Sequence, residues 1–232
     1  MMKYAKNYER CCIERPGALH RWFMGLLSRK AQAIGQKDHK SWSLKYLIDT
    51  YFPDKTGLRI LDCGAWNGWF LSYAIPAIVQ RVALDFDDYY AAEMRRDGIE
   101  FVLADMEKGH FPFRRNTFDL LVMTSTLEHL GCPEHVAGEI LRELKPGGFV
   151  FITVPNVLSY NFRFWDDATH KHPFSPASLR HLFEGRDMET IELCSYRHNF
   201  FIAGNLLPKP IHRFLMRFHG MAIMYVGRKP PP

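Results

Sequence analysis

Three acids stand just after apolar runs and could together hold a nucleoside. Asp62 follows Leu58-Arg59-Ile60-Leu61, Asp85 lies within the run 81–86, and Asp105 follows the run 99–104 with Met106 beside it. After Asp62 the stretch ILDCGAWNGWF (60–70) supplies Gly64 and Gly68, and then an apolar segment suited to a helix. A strand that runs through a glycine turn into a helix aims backbone N–H groups at whatever binds beyond the strand's carboxyl end. An acid such as Asp85 at the end of the next strand can accept hydrogen bonds from both hydroxyls of a ribose. Asp105 suits the amino group of an adenine, with the Met106 thioether against the ring. Any one of these acids is commonly no more than a loop residue, and the row of three is the stronger signal.

Proton chemistry needs a group that titrates near neutral pH, which points to histidine. His170 follows the fifth strand in a loop expected to overhang the site, either as a base or as a structural hydrogen bonder of that loop. His129 follows Glu128 and more simply anchors the turn after the fourth strand. His172 is the weakest of the three.

These residues need an alternating scaffold to bring them together. From residue 57 the pattern predicts strands at 58–63, 81–86, 99–104, 118–124 and 149–154, whose bodies are continuous apolar runs such as LLVM (120–123) and FVFITV (149–154). Helices fit at 67–76, 89–97 and 133–144, the last opened by Pro133 and closed by Leu144-Lys145-Pro146-Gly147-Gly148. Ser175-Pro176-Ala177 opens another helix through Glu184, and 188–196 and 222–228 read as two final strands. The alternation predicts an α/β fold with a parallel sheet and right-handed crossovers. Residues 1–56 read as a helical N-terminal cap: Leu19, Trp22, Phe23, Leu26 and Leu27 share one helix face, and a second helix spans Trp42 to Asp49 and stops at Phe52-Pro53.

At 232 residues, 47% apolar and 24% charged, the chain suits one large domain with an appendage. No run of about 18 apolar residues predicts a membrane span, and no secretory signal precedes the five scattered cysteines, so free thiols in a cytoplasmic protein are expected. The net charge of +5 divides into +7 over residues 1–60, −8 over 61–192 and +6 over 193–232. Either the basic ends complement the acidic body, or they offer a surface to an anionic substrate, lipid headgroup or nucleic acid.

The motifs in their order resemble the class I S-adenosylmethionine-dependent methyltransferases, in the ubiquinone-methyltransferase-like branch. The family's D-x-G-x-G-x-G is met by Asp62, Gly64, Trp66 and Gly68. Its fourth strand with a Leu-Glu-His is met by FDLLVMTSTLEHL (118–130), and its helix end and fifth strand by LRELKPGGFVFITVPN (141–156). DATHKHPFSPASLRHLF (167–183) is similar to the segment of that branch in which a Thr-His pair precedes an S/T-x-x-x-L-x-x-L helix. A dinucleotide oxidoreductase explains the glycine turn and the acid after it, but neither Leu-Glu-His nor Leu-Lys-Pro-Gly-Gly.

The resemblance covers about 57–195 and implies a Rossmann-like seven-stranded methyltransferase sheet with helices on both faces, and S-adenosylmethionine as cofactor. It places Asp62, Cys63, Gly64 and Gly68 around the methionine part, Asp85 and Phe86 at the ribose and adenine, and Asp105 and Met106 at adenine. Thr124 and Leu127 would lie near the sulfonium unless they are ordinary packing residues. His170, then His129, would be the catalytic base. Some relatives bind Mg²⁺ through E-x-x-E-H; here Ser125 replaces the first carboxylate, so no metal is expected. Base-amine methyltransferases carry N/D-P-P-Y/F where this chain has Thr124-Ser125-Thr126-Leu127. That favours a small-molecule or lipid-linked acceptor, methylated at oxygen, over nucleic acid. Two other readings stay open: a non-catalytic cofactor-binding scaffold and a nucleic-acid methyltransferase.

Trp66 departs from the family glycine and either points away from the cofactor or lies over the site. Residues 197–220, an insertion before the final strand, interleave bases with Phe200, Phe201, Phe214 and Phe218, which suits either packing on the sheet or peripheral contact with a membrane.

Overall fold

In the computed structural model, residues 47–53, 56–73, 79–196 and 221–232 are described. The strands are β1 (Leu58–Cys63), β2 (Val79–Asp85), β3 (Glu100–Leu103), β4 (Phe118–Thr124), β5 (Leu144–Pro155), β6 (Glu189–Tyr196) and β7 (Ala222–Arg228). They form one seven-stranded sheet in the order β3-β2-β1-β4-β5-β7-β6, with β1 to β5 parallel and β7 antiparallel to both β5 and β6. The chain order reverses at β1, between β2 and β4, so the crevice beyond the carboxyl ends of those strands is the position where such sheets bind ligands.

Alternation along the strands explains the two-sided burial. Leu61 and Cys63 of β1, Leu121 and Met123 of β4, and Val150, Ile152 and Val154 of β5 join one core. Leu58 and Ile60, Leu120 and Val122, and Phe149 and Phe151 join the other. Helices α2 (Pro133–Glu143) and α3 (Pro176–Glu184) cover the first face with Val136, Ala137, Ile140, Leu179, Leu182 and Phe183. Helix α1 (Ala91–Arg96), the turn at Phe70-Leu71, and Leu47 and Phe52 cover the second.

Local chemistry sets the helix ends. Pro133 and Pro176 occupy first-turn positions, where a missing N–H costs nothing. Ser175 caps α3 in a reciprocal box with Ser178.

Some boundaries differ from the sequence reading. The stretch expected to close the third helix instead begins β5, because Leu144 is already extended and pairs with Phe118. Of the helix expected at 67–76, residues 67–70 form turns and Leu71–Tyr73 a 3-10 turn, and the rest lies outside the described residues. Residues 47–51 are helical, as expected before Phe52-Pro53. Residues 1–46 of the expected cap and the insertion 197–220 lie outside the described residues. The helical turn Val157–Tyr160 and the 3-10 segment Asn161–Asp166 had no counterpart in the sequence reading.

Candidate functional site

The three acids lie side by side. Asp62 pairs in register with Ala83 of β2, and Asp85 with Leu103 of β3, two residues before Asp105. Asp62 is buried and its Oδ1 has no hydrogen-bond partner. Burial, then the nearby Asp85 charge, pushes its carboxyl up to about 8. Asp85 is buried at the end of β2 and accepts from the Trp66 N–H at 2.8 Å and the Asp87 N–H at 3.1 Å. Burial raises its pKa against the pull of those bonds. Asp105 is half-buried, accepts from the Glu107 N–H at 3.0 Å and pairs with Lys108 at 3.0 Å, and both hold its pKa down.

The glycine turn is built tightly. Gly64 has φ +76°, and its N–H donates to the Leu84 carbonyl at 2.8 Å. A Cβ on Gly64 would fall within 3 Å of the Thr126 side chain. Gly68 has φ +69°, and a Cβ there would meet Met94 of α1 at 2.7 Å. Gly64 therefore lets the Thr126 side chain of the turn after β4 pack against β1, whereas Gly68 lets α1 pack.

Trp66 keeps the left-handed backbone of a glycine, φ +49°, and directs its N–H to Asp85. Its ring meets Tyr90 edge-on at 5.8 Å and is 46% exposed. Tyr90 is the residue before α1, so the indole leans toward the β2 side of the turn.

The other expected cofactor neighbours divide. Phe86 is exposed beside Asp85, and Thr124 is half-buried at the end of β4. Cys63, Met106 and Leu127 instead have their side chains in the core, packed against the sheet. Leu127 is wholly buried, the ordinary packing role weighed as its alternative.

The histidines meet at the ends of β4 and β5. The 3-10 turn Leu127–His129 follows β4, and the Glu128 carbonyl accepts the N–H groups of Lys171 and His172 at 2.8 and 2.9 Å. The loop after β5 is thereby held on the turn after β4. His129 and His170 bring their rings to 4.8 Å. His170 stacks on the buried Phe164 at 4.4 Å, and its Nδ1 donates to the Phe164 carbonyl at 2.7 Å. Its Nε2 lies 3.8 Å from Asp167 Oδ2.

The Thr169 hydroxyl donates to Asp167 Oδ1 at 2.6 Å and meets His129 Nδ1 at 2.9 Å. Burial lowers the His129 pKa, with the charge of His170 acting the same way. Burial pushes Asp167 up, but its two bonds from Thr169 prevail and hold it below the usual range.

Glu128 is buried with Oε2 unpartnered, and burial pushes it up to about 8. Glu128, His129 and His170 each offer a metal-ligating atom, all within 4.8 Å of one another, while Ser125 at the position of the missing carboxylate is exposed. His172 is half-buried, with Nδ1 unpartnered and no link to the other two rings.

The sequence reading missed Thr126, Phe164, Asp167 and Thr169. Asp167 and Thr169 had a signal in the D-A-T-H spacing, since an acid two residues before a threonine forms a short side-chain turn with it.

Comparison with known proteins bears on the same residues. Residues 39–193 match the model of a methyltransferase domain family. The chain belongs to the class I S-adenosylmethionine-dependent methyltransferases. It is 33% identical over 94 residues to a demethylmenaquinone methyltransferase of Renibacterium salmoninarum, a match spanning 40% of this chain and 39% of that protein. The chain thus spans about two fifths of the length of that relative. Two solved structures share the fold: an S-adenosylmethionine-dependent methyltransferase from Mesorhizobium loti (TM-score 0.62, 17% identity, 79% of this chain and 96% of that one) and the [4+2]-cyclase SpnF (TM-score 0.62, 19%, 82% and 81%). The cyclase illustrates that this fold serves more than one chemistry.

The cofactor of the family is S-adenosylmethionine, and the residues fit it. The orphaned, buried carboxyl oxygen of Asp62 suits a cationic group.

Proposed function

We propose that the chain transfers a methyl group from S-adenosylmethionine to a small-molecule or lipid-linked acceptor at a hydroxyl oxygen, with His170 taking the acceptor's proton. The observation that carries this reading is the pair of imidazoles at the ends of β4 and β5, each oriented through its Nδ1. Bound S-adenosylmethionine supplies an already activated methyl group on a sulfonium. Asp62, Gly64, Asp85, Phe86, Asp105 and Thr124 would hold and orient it, so that the acceptor needs only proximity and alignment. With Nδ1–H given to Phe164, the Nε2 of neutral His170 carries the lone pair that accepts a proton. Asp167, 3.8 Å from that nitrogen, favours the resulting imidazolium. His129, tied through Thr169 to the same Asp167, is a positioning partner.

An aromatic or enolic hydroxyl that loses its proton can attack through oxygen or through the conjugated carbon, and the same base serves both. The test is incubation with S-adenosylmethionine bearing a labelled methyl group and a panel of reduced quinones, phenols and carboxylates, with the product's methylated atom read by NMR. Label on a hydroxyl oxygen supports the full reading, and label on carbon keeps the base but moves the attacking atom. Cofactor binding without label transfer to any acceptor favours a scaffold.

A further inference from the structure

The segments that leave β3, β4 and β5 meet at one carboxylate. Glu107 follows β3, close to Asp105, and its N–H donates to Asp105 Oδ1 at 3.0 Å. Its side chain serves the other two segments. Oε1 accepts the N–H of Gly131, which lies between the turn after β4 and α2. Oε2 accepts from Lys171 Nζ at 2.9 Å. Lys171 directly follows His170 in the loop after β5. The bond from Lys171, helped by that from Gly131, holds the Glu107 carboxyl below the usual range, so it is charged at neutral pH.

Sheet order makes this junction informative. β2, β1 and β4 separate β3 from β5, four strand spacings or about 19 Å. The segment after β3 covers that distance along α2. His135 Nε2 donates to the Gly109 carbonyl at 2.7 Å, and Glu139 accepts the Phe111 N–H at 2.8 Å. The junction also needs a residue without a side chain, because a Cβ on Gly131 would stand 2.9 Å from Glu107 Oε1. The side chains of Lys171 and Glu107 are 52% and 30% exposed, so their pairing adds little to global stability. A contact that stabilises little yet joins three segments of the site acts on where they sit.

We propose that Glu107 is a positioning residue for methyl transfer, which sets the loop bearing His170 against the segment bearing Asp105. It acts through Lys171 and is assigned no contact with the reacting atoms. The inference rests on the reading of Asp105 as a partner of adenine and of His170 as the base. The base must stand at a set place relative to the bound methyl donor, and small misplacements are costly in rate.

Amide hydrogen exchange of the full chain, followed by mass spectrometry, tests the junction without an acceptor. Glu107→Gln and Lys171→Met should each speed exchange across residues 167–172 about two- to fivefold, while exchange in β4 and β5 stays at the wild-type rate. The double variant should go no further than the larger single one, because both break the same link. Lys171→Arg keeps the charge and should restore wild-type exchange. Melting temperatures should stay within about 2 °C throughout. With labelled S-adenosylmethionine and the acceptor that takes label, Glu107→Gln should lower kcat about tenfold. Its KM for S-adenosylmethionine, and its affinity for S-adenosylhomocysteine, should stay within about threefold, and Lys171→Arg should turn over like the wild type. Wild-type exchange in both single variants, or additive effects in the double variant, would overturn the proposal. So would faster exchange with unchanged kcat, or an equal loss of kcat and cofactor affinity, since either would leave Glu107 no positioning role. Failure of the underlying reading looks different: His170→Ala would turn over fully while the exchange results hold.

Discussion

Asp62 is the residue whose chemistry is most unusual. Its carboxyl sits at about 8, against an ordinary value of 3.8. A folded pKa above the unfolded one means that the native state loses stability as pH climbs from about 4 toward 8, because the unfolded chain ionises first. Asp62→Asn removes that penalty. It should raise the melting temperature of the ligand-free protein at pH 8 by at least about 5 °C while changing it little at pH 4, as differential scanning fluorimetry across pH would show. The same substitution should weaken S-adenosylmethionine, since the orphaned oxygen suits a cation.

At His170, replacement by Ala should lower turnover about 100-fold or more while cofactor affinity stays within about threefold. Loss of both together would make the histidine structural. Asp167→Asn should lower kcat less, with the KM for S-adenosylmethionine unchanged; a matching loss of cofactor affinity would make Asp167 structural. Dialysis against a chelator should leave turnover unchanged. A loss restored by one added divalent cation would assign Glu128, His129 and His170 to that ion.

The row of acids was legible because each closes an apolar run. The Asp167-Thr169-His129 chain was not, because it joins two loops far apart in sequence.

At the scale of elements, the turn after β1 decides how the site is built. Gly64→Ala meets both a left-handed φ and the Thr126 side chain, and should cost about 1–3 kcal/mol, read as a lowered melting temperature. Trp66→Gly relieves left-handed backbone but gives up the Tyr90 contact, two effects of about 1 kcal/mol each. Stability should change little and cofactor affinity should stay within about threefold. A larger fall in affinity would mean that the indole lines the bound nucleoside.

Strands were legible wherever both faces are buried, since a continuous apolar run such as 120–123 fits no exposed element. Helix ends marked by Ser175-Pro176 and by Pro133 were equally plain. The stretch 157–166 was not, because Leu158, Phe162 and Trp165 are exposed and, of its described residues, only Phe164 is fully buried. Its pattern therefore signals no burial.

At the scale of the whole molecule, reversal of chain order at β1 brings the ends of β1, β2, β4 and β5 around one crevice, and everything discussed above converges there. The fold does not choose the acceptor, as its sharing with a cyclase illustrates. Isothermal titration calorimetry of the full chain with S-adenosylhomocysteine tests the central claim most directly. The wild type should bind one equivalent, and Asp85→Ala, with its fold checked by thermal melting, should bind at least about tenfold more weakly. An absence of binding by the wild type, or wild-type affinity in Asp85→Ala, would contradict the account.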